Sequence, residues 1–245
     1  MNTYFDFCGI FIGMVKHAII LAGGKGERLR PFTNDRPKVM VELDGKPIML
    51  WQIEWLKSHG ITKFVFTVSY KYEVVQDFFG DGSKFGIEID YSIEETPLGR
   101  GGAIKKAFKS KLLDGIENVV ACNGDIITKL DLTEMVEAHK KENALISLLL
   151  VPYLSRWGVV HVDGNNHITG FDEKPRLPYW INGGIYVFNK DLEPLLPEVG
   201  DHETETFPKV PKEKFLGFKH EGFWRAVDVV KDKSEAEEFL TSFLK

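Results

Sequence analysis

The sequence predicts an α/β fold, a doubly wound and mostly parallel sheet with a small antiparallel lobe, on three observations. Apolar, β-branched runs alternate with helix-period segments through the first half of the 245 residues, and a βαβαβα order implies parallel strands joined by crossover helices. Two loops of unusual composition, residues 22–38 and 123–125, each follow such a run, and ligands of a doubly wound sheet sit outside the carboxyl ends of its strands. After residue 153 the pattern changes to short strands separated by Gly, Asn and Pro, which reads as antiparallel pairing.

The elements follow in order. Residues 18–21 form an apolar first strand ending in Gly23-Gly24, and residues 23–37, rich in Gly, Pro and charge, form a loop. Pro47 stands as the first helical residue of a segment reaching His59; Ile48, Trp51, Ile53, Trp55 and Leu56 recur in it at roughly helical spacing, and Gly60 ends it. Lys63–Val68 is β-branched and aromatic, hence a strand. Residues 73–79 form a helix closed by Gly80, 87–92 alternate as a strand, and 101–109 are helical. Residues 118–122 are a buried strand running straight into Asn123-Gly124-Asp125; Leu132–Lys141 is a helix and 144–151 a strand. Val159–Val162, Ile168–Asp172 and residues 185–188 supply the lobe, and 203–209 and 234–244 are helices. No internal repeat, low-complexity run or heptad pattern occurs.

Composition narrows the function. With 43% hydrophobic and 27% charged residues the chain is an ordinary globular one, long enough for a sizeable core. A net charge of −5 argues against nucleic acid as partner while leaving room for a local basic cleft that takes a small anion. The two cysteines, Cys8 and Cys122, lie far apart and outside any CxxC or Cys/His cluster, which argues against a disulfide framework or zinc site and for a reducing compartment. The apolar stretch 7–15 is too short to span a membrane and lacks the basic start and cleavage site of a signal peptide, so no membrane association and a cytoplasmic location are expected. Met14 directly precedes the first strand. Residues 1–13 are read as an N-terminal extension from a misplaced start codon, the alternative being an arm that packs on the body or on another subunit, and 14–245 as one domain.

The first loop carries chemistry. In Leu21-Ala22-Gly23-Gly24-Lys25-Gly26-Glu27-Arg28-Leu29-Arg30-Pro31, glycines let backbone N–H groups approach phosphate oxygens, while Lys25 and Arg28 add positive charge. Neither familiar phosphate motif fits. A dinucleotide fingerprint from Gly24 would need glycine where Leu29 stands, and a P-loop would need Ser or Thr where Gly26 follows Lys25. A bare glycine turn would be only a tight strand-to-helix connection. The continuation through Thr33 to Pro37-Lys38-Val39-Met40 is what distinguishes it: at L-A-G-G-x-G-x-R-L-x-P-x-T followed by P-K, the chain resembles the sugar-1-phosphate nucleotidyltransferase family.

That resemblance extends over essentially residues 14–245 and implies a Rossmann-like nucleotidyltransferase fold. Residues 14–152 would form the nucleotide-binding half and 153–245 the sugar-phosphate-binding half, the antiparallel lobe carrying the sugar. The reaction implied transfers a nucleotidyl group from a nucleoside triphosphate to a sugar 1-phosphate with Mg2+, releasing pyrophosphate. The nucleotide would meet Leu21, Ala22, Gly23, Gly24 and Gly26, the base segment Glu94, Pro97 and Gly99, and the strand end Asn123-Gly124. Arg28 and Lys38 would neutralise the triphosphate. Asp125 of the N-G-D string is implied as a magnesium ligand, in keeping with a hard cation that takes one or two carboxylates plus phosphate oxygens. The F-x-E-K-P station Phe171–Pro175 implies Glu173 for sugar hydroxyls and Lys174 for the sugar phosphate, with Gly158 and Asn182 also at the sugar.

Two positions depart from the family's pattern. Arg100 stands where many relatives carry a small residue. The usual W-x-D has Ala226 in place of its acid, and Asp228, four residues after Trp224, is taken as the second magnesium ligand. That spacing resembles the cytidylyltransferase branch, whereas residues 91–103 resemble the heptose- and mannose-1-phosphate guanylyltransferases. Two oxygens of Glu94 could accept from N1–H and N2–H₂ of guanine, which favours GTP, with CTP, UTP and dTTP as alternatives. Rival readings are a regulatory subunit that binds without catalysing, a nicotinamide-dependent oxidoreductase, and cytidylyl transfer to a non-sugar alcohol phosphate. The sugar and the oligomeric state, including a homo-oligomer, stay open. None of the seven histidines falls in these stations, so none is assigned a catalytic role.

Overall fold

Ala18, Ile19 and Ile20 are fully buried because their strand, β1 (His17–Leu21), runs through the middle of a sheet covered on both faces. The computed structural model describes residues 15–243, so the proposed extension 1–13, its Met14 boundary and Leu244 lie outside the described residues. After β1 come β2 (Glu42–Leu43) and β3 (Lys46–Pro47), a two-residue hairpin pair, then α1 (Ile48–Ser58), β4 (Lys63–Val68), α2 (Tyr72–Phe79), β5 (Glu88–Ile93), α3 (Gly99–Ala107), β6 (Asn118–Asn123), β7 (Ile126–Thr128) and α4 (Leu132–Lys141). The second half contains β8 (Ile146–Leu154), β9 (Val159–Val162), β10 (Ile168–Asp172), β11 (Arg176–Asn189), α5 (His202–Glu205), β12 (Phe215–Lys219), β13 (Trp224–Ala226) and α6 (Val230–Phe243).

The seven-stranded sheet has the order β12-β8-β11-β6-β1-β4-β5. Its strands are all parallel except β11, which is antiparallel to both β6 and β8. The alternation of side chains along β1 divides the core. Ile20 joins Met49, Ile53 and Leu56 of α1, Val75 and Phe79 of α2, and Met135 of α4 on one face. Ile19 joins Val65, Ile104 and Ala107 on the other. Each of these side chains except that of Ala107 contributes about 1.5–3 kcal/mol on full burial. This two-faced covering is the expected doubly wound arrangement, and it explains why the strand sequences are near-continuous apolar runs.

Several sequence expectations need correction. Residues 185–188 are not a strand of a separate lobe but the end of the long β11, inserted between β6 and β8 of the main sheet. The antiparallel lobe is therefore the β9–β10 hairpin alone. Pro47 does not start the helix: it closes β3 and caps α1, because its backbone is still extended. The helix expected at 101–109 begins at Gly99, whose φ of +73° only glycine adopts cheaply, and ends at Ala107. The segment 203–209 is broken into α5 and a 3-10 turn, Phe207–Lys209, around Pro208. The C-terminal helix starts at Val230 instead of 234. The pair β7–β13 was not anticipated at all. Among the described residues no helix is long and apolar enough to cross a membrane.

Candidate active site

β1 and β6 lie side by side and parallel, with Leu21 level with Asn123, so the glycine loop and the Asn123-Gly124-Asp125 string leave the sheet at the same edge. They interlock there. Gly124 N–H donates to Leu21 O at 2.9 Å. A Cβ on Gly124 would meet that carbonyl at 2.9 Å and Val39 Cγ1 at 2.8 Å, so only glycine permits the approach. From below, the buried Gln52 of α1 donates Nε2–H to Asn123 O at 2.7 Å.

The glycine loop folds back on its own continuation. Lys38 N–H donates to Gly24 O at 3.2 Å, and Thr33 Oγ1–H donates to Gly26 O at 2.9 Å. Gly26 takes φ +67°, and a Cβ there would lie 2.8 Å from Lys38 Cβ. The spacing of Gly26, Thr33 and Lys38 thus brings the lysine under the loop.

Asp228 arrives from the other end of the chain through β13. Ala226 pairs with Ile126 of β7, and Val227 N–H donates to Asp125 O at 3.0 Å. The backbone amides of Asp228 and Val229 both donate to Asp232 Oδ2 at 3.0 Å, which fixes the turn into α6. The outcome is a charge cluster. Lys38 Nζ pairs with Asp125 Oδ2 and, at 2.5 Å, with Asp228 Oδ1, while Arg28 Nη2 reaches Asp228 Oδ1 at 3.1 Å. Lys38 and Asp125 are largely buried, with side chains 14% and 16% exposed, against 31% for Asp228 and 65% for Arg28.

The electrostatics follow from that packing. Burial works against the Lys38 ammonium, but the two carboxylates outweigh it and hold its pKa above the ordinary lysine value. Burial also works against the Asp228 carboxylate, but Lys38, Arg28 and the nearby Arg156 hold it below the ordinary value. Asp125 Oδ1 is buried with no hydrogen-bond partner among the described residues. Two convergent carboxylates with one oxygen unused suit a hard divalent cation. Among the described residues no group of three His, Cys, Asp or Glu converges, so such an ion would complete its shell with water or substrate oxygens.

The other sequence-predicted residues fall into two groups. Glu94 lies next to the glycine loop, its Oε1 3.6 Å from where a Gly23 Cβ would stand. Its Oε2 is taken by the Leu98 N–H at 2.9 Å, leaving Oε1 as the freer oxygen instead of the two expected. Burial raises its pKa above the ordinary value, against the lowering pull of the Leu98 amide and Lys106. Pro97 and Gly99 lead into α3, where Gly99 packs on Gly200 O; a Cβ would meet it at 2.5 Å. Glu173 and Lys174 sit in the exposed β10–β11 connection, paired with each other at 2.9 Å. They adjoin the 155–158 turn, since Ser155 N–H donates to Pro175 O at 2.9 Å, and Gly158 lies beneath the Phe171 ring. That turn carries Arg156, whose charge bears on Asp228; sequence reasoning passed over it although it directly precedes Trp157-Gly158. Asn182 commits its amide to Tyr186 Oη and Glu203 Oε1 at 2.9 and 2.8 Å. Gln52 and Glu203 were also missed, and neither stands in a string that marks it.

The sequence profile of the family described as Nucleotidyl transferase matches residues 17–242. The chain is 34% identical over 233 residues to the D-glycero-alpha-D-manno-heptose 1-phosphate guanylyltransferase of Aneurinibacillus thermoaerophilus, covering 93% of this chain and 99% of that one. It is 38% identical over 224 residues to the mannose-1-phosphate guanyltransferase of Yarrowia lipolytica, covering 87% of this chain but 61% of that longer protein. The solved structure of HddC from Yersinia pseudotuberculosis complexed with GMP-PN superposes with a TM-score of 0.74 at 26% identity, over 92% of this chain and 100% of that one.

Proposed function

The chain belongs to the nucleotidyl transferase family, and from that premise we propose that it joins GTP to a sugar 1-phosphate, releasing pyrophosphate and forming a GDP-sugar. The observation that carries the reading is the convergence of Arg28, Lys38, Asp125 and Asp228 beside the glycine loop at the carboxyl edge of the sheet. A regulatory subunit without chemistry would not need this set intact. The guanylyltransferases among the similar proteins, and the GMP-PN complex, support guanine as the base. The Trp224–Asp228 spacing favours a second reading with CTP.

No nucleophilic side chain is required, because phosphoryl-type transfer is catalysed by positioning and charge. The glycine loop, 22–26, would hold the triphosphate against backbone N–H groups, with Glu94, Pro97 and Gly99 around the base and Asn123-Gly124 below the ribose. Arg28 and Lys38 would take charge on the departing pyrophosphate. Lys174 would orient the attacking sugar phosphate, with Gly158, Glu173 and Asn182 around the sugar. Asp125 and Asp228 would hold Mg2+, which supplies charge neutralisation between the two anionic reactants. Lys38 would then turn from the carboxylates toward the phosphates. We read residues 14–152 as the nucleotide half and 153–245 as the sugar-phosphate half, the two sharing one sheet through β11. We place the enzyme in the cytoplasm.

Pyrophosphate release with magnesium tests this directly, across GTP, CTP, UTP, dTTP and ATP against heptose, mannose, glucose, galactose and N-acetylglucosamine 1-phosphates. Turnover with GTP is expected. Turnover with CTP alone would make the Trp224–Asp228 spacing the better guide, and a blank grid from folded protein would refute nucleotidyl transfer to these sugars.

A further inference from the structure

α1 buries Ile48, Met49, Leu50, Ile53 and Leu56, and among them one polar side chain, Gln52, only 1% exposed. Its Nε2–H donates to Asn123 O at 2.7 Å, while its Oε1 is buried with no partner among the described residues. For stability alone this is an unfavourable choice. A leucine or methionine would continue the apolar face, whereas the glutamine gains one hydrogen bond and strands an acceptor. A buried polar group left unpaired needs a reason, and here the reason lies at the carbonyl that the amide holds.

Asn123 O stands where the sheet stops supplying donors. The pairing of β6 with β11 ends at Cys122 and Ile185, and the next amide of β11, Gly184 N–H, donates to Asn182 Oδ1 at 2.8 Å instead. Gln52 supplies the missing donor. The same peptide is gripped from its other side, since Gly124 N–H donates to Leu21 O at 2.9 Å, and Asp125 O accepts from Val227 N–H at 3.0 Å. Residues 123, 124 and 125 are thus held in turn by α1, by β1 and by the residue after β13. Trp55, three residues further along α1, donates Nε1–H to Leu130 O at 3.1 Å, so the helix holds both ends of the 123–130 segment that carries Asp125. Asp125 has Oδ2 on Lys38 and Oδ1 buried without a partner among the described residues. With Lys38 turned to the phosphates, as the proposed function requires, the backbone alone would aim that carboxylate.

We propose that Gln52 is a positioning residue of the reaction: its amide fixes the Asn123–Gly124 peptide so that Asp125 presents its unpaired oxygen to the divalent cation. The assignment rests on the reading of Asp125 as a magnesium ligand in a nucleotidyltransferase. The residue type follows from the task. A donor has to reach a strand end from the middle of a helix, which takes a long side chain. It has to do so without burying a charge, which excludes lysine and arginine. Groups that orient a metal ligand from behind govern metal affinity, and losing one costs roughly 10- to 100-fold.

The test compares the unsubstituted full chain with Gln52→Met, which keeps the length and loses the donor, and with Gln52→Leu should the methionine variant fail to fold. Trp55→Phe is the control that loosens the other end of the segment. Melting temperature is followed against magnesium at fixed GTP, or at the nucleotide that the grid selects, with a chelator baseline. Pyrophosphate release is followed against magnesium with the best substrates of the grid. Gln52→Met is expected to raise the half-effect magnesium concentration roughly 10- to 100-fold in both titrations, while KM for the sugar 1-phosphate at saturating magnesium changes less than about twofold. Its melting temperature in chelator should stay near that of the unsubstituted protein, because the stranded Oε1 is lost together with the hydrogen bond. Trp55→Phe should melt lower and keep the magnesium midpoint. An unchanged midpoint in folded Gln52→Met overturns the assignment, as does an equal shift in Trp55→Phe, which would reduce the effect to general loosening. An unsubstituted protein with neither turnover nor a magnesium-dependent rise in melting temperature refutes the reading of the site and this assignment with it.

Discussion

Replacing Lys38 by Met isolates what holds the two candidate metal carboxylates together. In the intact protein one ammonium lies between Asp125 and Asp228, and both it and Asp125 are largely buried. Removing it leaves two like charges facing each other. Breaking a buried ion pair from one side costs about 3–5 kcal/mol, and the part that falls on Asp228, nearly a third exposed, is screened by solvent. About 3 kcal/mol is the reasonable sum, and at roughly 2–4 °C per kcal/mol for a chain of this length the melting temperature should fall by ~6–12 °C at pH 7 in chelator. The sign with pH follows from Asp228, whose folded pKa lies below its unfolded value. Its stabilisation is present above the ordinary carboxylate pKa of 3.8 and is lost as pH falls through the folded one. Without Lys38 that depression shrinks, so the gap between Lys38→Met and the intact protein should be widest near neutrality and close toward pH 3. Excess magnesium should restore part of the loss at pH 7, since the cation would then do for the carboxylates what the lysine did, while turnover stays impaired. Differential scanning fluorimetry with chelator or magnesium at several pH values measures all of this. A Lys38→Met protein that melts within a degree of the intact one at pH 7 in chelator would refute the argument.

Asp125→Asn should keep its melting temperature within a few degrees, because Lys38 retains Asp228, yet lose roughly 10²- to 10³-fold in turnover, as checked by pyrophosphate release; near-normal turnover would remove Asp125 from the chemistry. Gly26→Ala forces a left-handed φ of +67° on alanine and presses its Cβ against Lys38, so stability should drop by about 1–2 kcal/mol and turnover by more than that alone explains, measured by denaturant melts and kinetics side by side. His202 is buried edge-on to Tyr186 and Phe207, and burial, with Arg100 nearby, lowers its pKa to about 4. Its neutral ring is therefore lost to protonation in the unfolded chain as pH falls from 6.5 toward 4, a destabilisation approaching about 3 kcal/mol, and His202→Phe should flatten the melting profile across that window; an unaltered slope would place the acid sensitivity elsewhere.

How much of this was legible in the sequence depends on how local each contact is. The succession of strands and helices through residue 151 and the loops 22–38 and 123–125 could be read because each element carries its own period and its own terminators, and because parallel strands deliver every following loop to one edge. The glycine loop, Lys38 and Asp125 could be found because they stand in compact strings whose spacing serves a backbone: Gly26 must turn where Lys38 passes, and Gly124 must lie against Leu21 O. β11 escaped because its first half alternates through Pro178 and its middle is Gly183-Gly184, and local preference gives no warning that β8 and β6 will pair with both sides of it. The contact between Arg100 and Glu203 escaped for the same reason, its members standing 103 residues apart, although position 100 by itself stands out as a departure from the family's pattern.

Asp228 lies between these cases, and the structure explains the shifted acid. Position 226, where the commoner pattern has its aspartate, is held here within the β13–β7 pairing opposite Ile126. Position 228 is two residues beyond the end of that pairing, and Asp232 grips its amide and the next, so its carboxylate is delivered to Lys38 and Arg28 by the turn instead of by the strand. The two-residue displacement is therefore compensated by a tighter exit into α6. Asp232 is buried and spends Oδ2 on two backbone N–H groups, which makes it a structural condition for the placement of the Asp228 carboxylate. A chain that kept Asp228 but lost Asp232 would carry the right residue without the turn that aims it.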